Sequence, residues 1–161
     1  MKLALATDHA GYVACKEISS YLTALGHDCI DFGPQKFNAD DDYPDFITPA
    51  AQAVSQGVCD MGIILGGSGQ GEAMAANRVK GVRATVFYGP ALAKTAVDAA
   101  GHSSDDPHEI IKLSRAHNDA NVLSLAGRFL SLDEMKHAVE LWLATPFSGA
   151  SRHSRRIKKL G

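Results

Sequence analysis

The stretch Met61-Gly-Ile-Ile-Leu-Gly-Gly-Ser-Gly-Gln-Gly-Glu-Ala-Met-Ala-Ala-Asn-Arg78 decides how the chain is read. Met61 to Leu65 is a short apolar run of the kind that forms a buried strand. Gly66, Gly67, Gly69 and Gly71 follow, with Ser68 and Gln70 between them. Glu72 to Arg78 is rich in alanine and predicts a helix. The unit is therefore strand, tight glycine loop, helix. Glycines let backbone come close to a ligand. The helix start supplies unpaired N–H groups and the positive end of a dipole. Together they make a place for an anion.

Two familiar phosphate loops do not fit. The P-loop ends in Gly-Lys-Ser/Thr, and no lysine stands here. The dinucleotide fingerprint needs a small residue where this chain has Glu72 or Met74. A carboxylate in the first helical turn would repel a pyrophosphate. It suits a general base facing a substrate whose developing oxyanion rests on the loop N–H groups. On the loop alone, an acid that merely complements the helix dipole is an equal reading.

A length of 161 residues predicts one domain, 1–161, with room for a substantial core. A net charge of −2 gives no reason to expect nucleic acid or an anionic membrane as partner. No apolar run approaches membrane-spanning length, and a secretory leader is not expected. Cys15, Cys29 and Cys59 are widely spaced and form no CxxC pair. A reduced cytoplasmic protein is the expectation.

Taken in order, Leu3–Thr7 predicts a first strand that runs into Asp8-His9-Ala10-Gly11. A helix follows with Val13, Ile18, Leu22 and Leu25 toward one face, capped by Gly26. Cys29–Phe32 is a second strand. Polar Asn38–Asp42 leads to Tyr43-Pro44 and a helix near Asp45–Ser55. After the glycine unit come a strand at Val82–Phe87, a helix at Ala91–Ala100, a polar loop at Gly101–Pro107 and a short helix at His108–Arg115. Val122–Leu125 is the fifth strand, ended by Ala126-Gly127-Arg128. Ser131 caps a helix to about Ala144, with Glu134 completing a capping box. A basic, helical tail spans about 147–161.

Five alternations of strand and helix predict an α/β, three-layer Rossmann-like fold: a five-stranded parallel sheet with helices on both faces. Ligands in such folds sit beyond the carboxyl ends of strands. Asp8, His9, the glycine loop and Arg128 all fall there. His117 and Asn118 lie just before the fifth strand, so their end of the sheet stays open. Each residue also has an ordinary use. Asp8 can cap a helix, Tyr43 can be core, and His117-Asn118-Asp119 can be a turn. Arg152 and Arg156 are four apart, which puts two guanidiniums on one helical face and suits a phosphate. His27, His102, His108 and His137 show no metal-ligand spacing, and no metal is expected.

These motifs in this order resemble the ribose-5-phosphate isomerase B family, which includes galactose-6-phosphate isomerase subunits. The resemblance runs nearly end to end. It is carried by Asp8-His-Ala-Gly11, Asp42-Tyr-Pro44, Gly66-Gly-Ser-Gly-Gln-Gly-Glu72, Ala75-Ala-Asn77, Gly81-Val-Arg83, His117-Asn-Asp119, Gly127-Arg128 and Arg152-His-Ser-Arg-Arg156.

The resemblance implies an aldose–ketose isomerase of the pentose phosphate pathway. It would interconvert D-ribose 5-phosphate and D-ribulose 5-phosphate through a cis-enediol(ate), with no cofactor. It implies a homodimer with shared active sites, or a tetramer. Many members carry a cysteine base where this chain has Gly66. This chain resembles instead the branch with a glutamate base, at Glu72. Ser68 and the backbone of Gly67, Gly69, Gln70 and Gly71 would hold the oxyanion. His117 would open the furanose ring, and Asp8 and Asn118 would hold sugar hydroxyls. His9, Arg128, Arg152 and Arg156 would surround the phosphate, with Tyr43 lining the pocket. One departure is extra chain at about Ala99–Ile110, which widens the alternatives to a six-carbon sugar phosphate of the allose or galactose 6-phosphate type. A non-catalytic sugar-phosphate-binding module is the other alternative, against which Glu72, Ser68 and His117 stand intact.

Overall fold

Five parallel strands form one sheet in the computed structural model, which describes residues 1–160. They are β1 (Lys2–Thr7), β2 (Asp28–Asp31), β3 (Met61–Gly66), β4 (Ala84–Phe87) and β5 (Val122–Ala126), in the order β2-β1-β3-β5-β4. The chain moves outward from β1 to β2, then returns across β1 to build the other half from β3. That reversal opens a crevice between the carboxyl ends of β1 and β3, where α/β folds bind ligands. Asp8 follows β1, and the glycine loop follows β3.

Alternation along the strands sorts the core. Leu3, Leu5, Ile63, Leu65, Leu123 and Leu125 point to one face, against α1 (Tyr12–Ala24), α4 (Glu109–Asn118) and α5 (Leu132–Ala144). Ala4, Ala6, Ile64 and Val122 point to the other, against α2 (Pro44–Ser55) and α3 (Gln70–Ala76). The alanines on this second face, with Ala50, Ala51 and Ala53 of α2, let helix and sheet lie close together. The expected three-layer arrangement is present, and Ser131 and Glu134 form the expected capping box of α5.

The first helix buries Cys15, Ile18 and Leu22, while Val13 and Leu25 are exposed. Val13 is five residues from Ile18, well off its face at 100° per residue. Leu25 already leaves the helix. Gly26, at φ +88, completes the turn: its N–H donates to Thr23 O and that of His27 to Leu22 O.

The helix expected at Ala91–Ala100 is absent. Residues 91–107 form an excursion whose neck is closed by the Ala91 N–H donating to Pro107 O at 2.7 Å. Ala91–Ala96 are all exposed, so the segment has no apolar face on the core, and a helix this short is marginal alone. Asp98 also draws the backbone aside, accepting from the N–H groups of Ala100 at 2.8 Å and His102 at 3.2 Å. The excursion thus joins β4 directly to α4. The next helix runs longer than expected, so His117 and Asn118 occupy its last turn. Among the described residues of the tail, only α6 (Ser151–Ile157) is helical.

Candidate active site

The glycine loop is held from behind by β5 and the turn after it. Gly66 O accepts from the Gly127 N–H at 2.8 Å, Gly67 O from the Arg128 N–H at 3.0 Å, and Gly69 O from the Ser124 hydroxyl at 2.7 Å. Gly69 sits at φ +72, and a Cβ there would meet Ser124 Oγ at 2.9 Å. Only glycine fits both demands. α3 starts at Gln70 rather than Glu72 and spans only Gln70–Ala76. Ser68 and Gln70 are exposed.

Glu72 lies in the first turn of α3 and is 5% exposed. Its carboxylate folds back over Gly66, where it would overlap any Cβ. Burial pushes its pKa above the ordinary value, its own backbone N–H pulls the other way, and the negative charge of Asp8 adds to the rise. Of the opposing effects at this position, burial wins.

Asp8 is buried and accepts from the Ala10 N–H at 2.9 Å, capping the short turn His9–Gly11. Its ordinary structural use and its place beside Glu72 coexist. Gly11 permits the turn: a Cβ would lie 2.8 Å from Leu65 Cβ and nearer still to Thr7 Oγ1. His9 is gripped by Asp41, whose Oδ1 accepts the His9 backbone N–H at 3.0 Å and lies 2.7 Å from its Nδ1. The Arg128 guanidinium lies over Gly67, 3.3 Å from where a Cβ would stand, and the Tyr43 ring lies against Gly71, 2.8 Å from such a Cβ. Asp8, His9, Tyr43, Glu72 and Arg128 thus gather around one loop.

Asp41 and Ser124 were not singled out by sequence reasoning. Asp41 stands in an undistinguished polar run, though that run follows β2 and so reaches the correct end of the sheet. Ser124 is one hydroxyl in an apolar strand. Asp8, His9 and Asp41 bring one ligand-type atom each within 4.8 Å of one another, the one such cluster among the described residues. Its contact between Nδ1 and Oδ1 has the length of a hydrogen bond, which occupies the nitrogen a cation would need.

His117, Asn118, Arg152 and Arg156 form a second group at the opposite end of the sheet. Arg83, just before β4, donates through Nε to the carbonyls of Asn118 at 3.1 Å and Asp119 at 3.0 Å. This fixes the end of α4 beside the amino ends of β4 and β5. Asp119 adopts φ +45, and Arg83 and Arg115 both bond its carboxylate. The His117 ring stacks on that of buried His153 at 4.2 Å, and Arg152 Nε lies 3.1 Å from His153 Nε2. Burial first, then His117, Arg152 and Arg156, lower the pKa of His153. Within one chain, this group does not meet Glu72.

A family model described as Ribose/Galactose Isomerase matches residues 3–103 and 99–160. The two matched segments meet inside the 91–107 excursion. Ribose-5-phosphate isomerase B of Mycobacterium tuberculosis H37Rv is 39% identical over 157 residues, 98% of this chain and 86% of the relative. Ribose-5-phosphate isomerase B of Clostridium thermocellum superposes with a TM-score of 0.85 at 38% identity, over 100% of this chain and 95% of that one. The Mycoplasma genitalium enzyme, solved with bound ribulose-5-phosphate, gives 0.84 at 36% identity, over 99% and 93%. In sequence and in fold, this chain belongs to the ribose/galactose isomerase family.

Proposed function

We propose that this protein interconverts D-ribose 5-phosphate and D-ribulose 5-phosphate by proton transfer through a cis-enediol(ate). The observation that carries the reading is the Glu72 carboxylate, buried, raised in pKa and folded over Gly66 beside the loop. Relatives named ribose-5-phosphate isomerase B align over 98% of the chain. Glu72 takes the proton from C2 of the open-chain aldose and returns it to C1. With its carbonyls bonded to the β5 side, the loop turns N–H groups toward the developing oxyanion, joined by the Ser68 hydroxyl. Asp8 holds a sugar hydroxyl, and His9 and Arg128 meet the phosphate.

Glutamate, not cysteine, is the base. Residue 66 carries no thiol, and burial raises the pKa of Cys15 and Cys59, the reverse of what a thiolate needs. Three unpaired thiols also suit a reducing cytoplasm.

We further infer a homodimer in which His117, Asn118, Arg152 and Arg156 of a second copy complete each site. The support is distance: the two groups lie at opposite ends of β5, which alone spans roughly 16 Å. His117 of the second copy then opens the furanose ring, and its arginines close on the phosphate.

The test is turnover across pentose and hexose phosphates. Ribose 5-phosphate should give the highest kcat/KM. Preference for allose or galactose 6-phosphate would assign a six-carbon substrate, a reading favoured by the excursion that leaves β4 at the Glu72 end of the sheet. Turnover of none would overturn the isomerase reading.

A further inference from the structure

His9 makes two contacts with a single oxygen, Asp41 Oδ1, at 3.0 Å from its backbone nitrogen and 2.7 Å from Nδ1. One carboxylate therefore fixes both the start of the turn after β1 and the rotation of the ring. With Nδ1 engaged, Nε2 is the ring's free edge, on a side chain 28% exposed. Asp41 itself is deeply placed, its side chain 7% exposed, and its Oδ2 is buried without a hydrogen-bond partner. A buried carboxylate with one unsatisfied oxygen is costly unless a cation lies against it. The imidazolium form of His9 is the group placed to be that cation.

The other charges facing His9 are Asp8, whose Oδ2 is 3.7 Å from Nδ1, and Arg128. Asp41 acts most strongly, through the hydrogen bond, and raises the His9 pKa; Asp8 adds to the rise, and burial and Arg128 oppose it. Proximity to Arg128 puts a second cation beside the first, a pairing suited to a phosphate dianion.

We propose that Asp41 is a positioning residue that holds His9 as an oriented imidazolium, with Nε2–H directed to the phosphate of the substrate. The proposal rests on the reading of this site as one for a phosphorylated sugar. Asp41 does not touch the ligand; it acts through His9. As pH rises through the His9 pKa, the cation is lost and phosphate binding weakens. Without Asp41 this loss comes at lower pH.

The experiment uses the whole protein and inorganic phosphate as probe, with calorimetric Kd and the imidazole resonances of His9 followed by NMR. Asp41→Asn should lower the His9 midpoint and weaken phosphate binding about tenfold near pH 7.5, with a much smaller effect near pH 5.5, where the ring is protonated in either protein. Asp41→Glu, which keeps the charge, should recover part of the loss. For the sugar phosphate, the loss should fall mainly on KM. In a His9→Asn background, Asp41→Asn should have no further effect. Equal phosphate affinity in wild type and Asp41→Asn overturns the proposal, as does an equal loss in the His9→Asn background, which would mark a purely structural role. If the variants do not fold, wild type decides: a His9 midpoint at or below its ordinary value, or no phosphate binding, overturns it. Failure of the isomerase reading is separate, seen as absent turnover with the His9 titration and phosphate binding intact.

Discussion

The carboxylate of Glu72 fills the space that a side chain on residue 66 would need: a Cβ on Gly66 would overlap Glu72 Cδ and Oε1. The two positions compete for one volume in front of the loop. Gly66→Ala should therefore lower Tm and cut turnover at least about 10²-fold by displacing the base. Adding Glu72→Ala should remove the clash and restore Tm without restoring turnover. A fully active Gly66→Ala enzyme would show that the carboxylate need not lie there.

Glu72→Gln keeps the shape and removes the basic oxygen. Turnover should fall by about 10²–10⁴-fold while substrate still binds. Stability should move the other way. Because burial raises the folded pKa of Glu72, its contribution to stability is full below its unfolded pKa and is lost as pH rises through the folded value. The Gln variant should thus melt higher than wild type at neutral pH, with the gap closing in acid. Parallel melting curves across pH would contradict the assigned cause of the shift.

The proposed sharing of sites between two copies makes a mixing prediction. Glu72→Gln and His117→Ala should each be nearly inactive. In a mixed dimer one site receives both defects and the other neither. Dissociating and reassociating an equal mixture should then recover about a quarter of wild-type activity, the share expected for random pairing of two-fold dimers. No recovery, with exchange verified by mass, would place both residues in one subunit's site.

The 91–107 excursion rests on few buried groups. Replacing Leu92–Asp106 with a two-glycine link should preserve the sheet and change Tm little, since the neck residues already meet. Because it rises from the carboxyl end of β4, its removal should shift the ratio of kcat/KM for pentose over hexose phosphates. An unchanged ratio would exclude it from specificity.

The strands were legible in the sequence because alternation and apolar runs report burial directly, as at Leu3–Thr7 and Val122–Leu125. The helix expected at Ala91–Ala100 failed because intrinsic propensity is weak where no face is buried, and Asp98 offers the backbone another partner. The placement of β5 between β3 and β4 leaves no local trace, since both orders need the same strands and helices. The same limit hid the separation of His117 from Glu72: α4 had to be placed before its last turn could be assigned to an end of the sheet. Asp41 was missed because its role lies in burial, and three consecutive aspartates read as a solvated loop.

The strand order also bears on how the chain is born. β5 is the last strand to leave the ribosome, yet it lies inside the sheet, and it is the sole neighbour of β4. Until it arrives, β4 has nothing to pair with and β3 presents an open edge. The groups that brace the glycine loop, Ser124, Gly127 and Arg128, are synthesised with β5 or just after it. A nascent chain ending before Val122 therefore carries Glu72 on an unbraced loop beside an adhesive strand edge. Translational stalling in that interval would yield an inert fragment prone to pair with its neighbours.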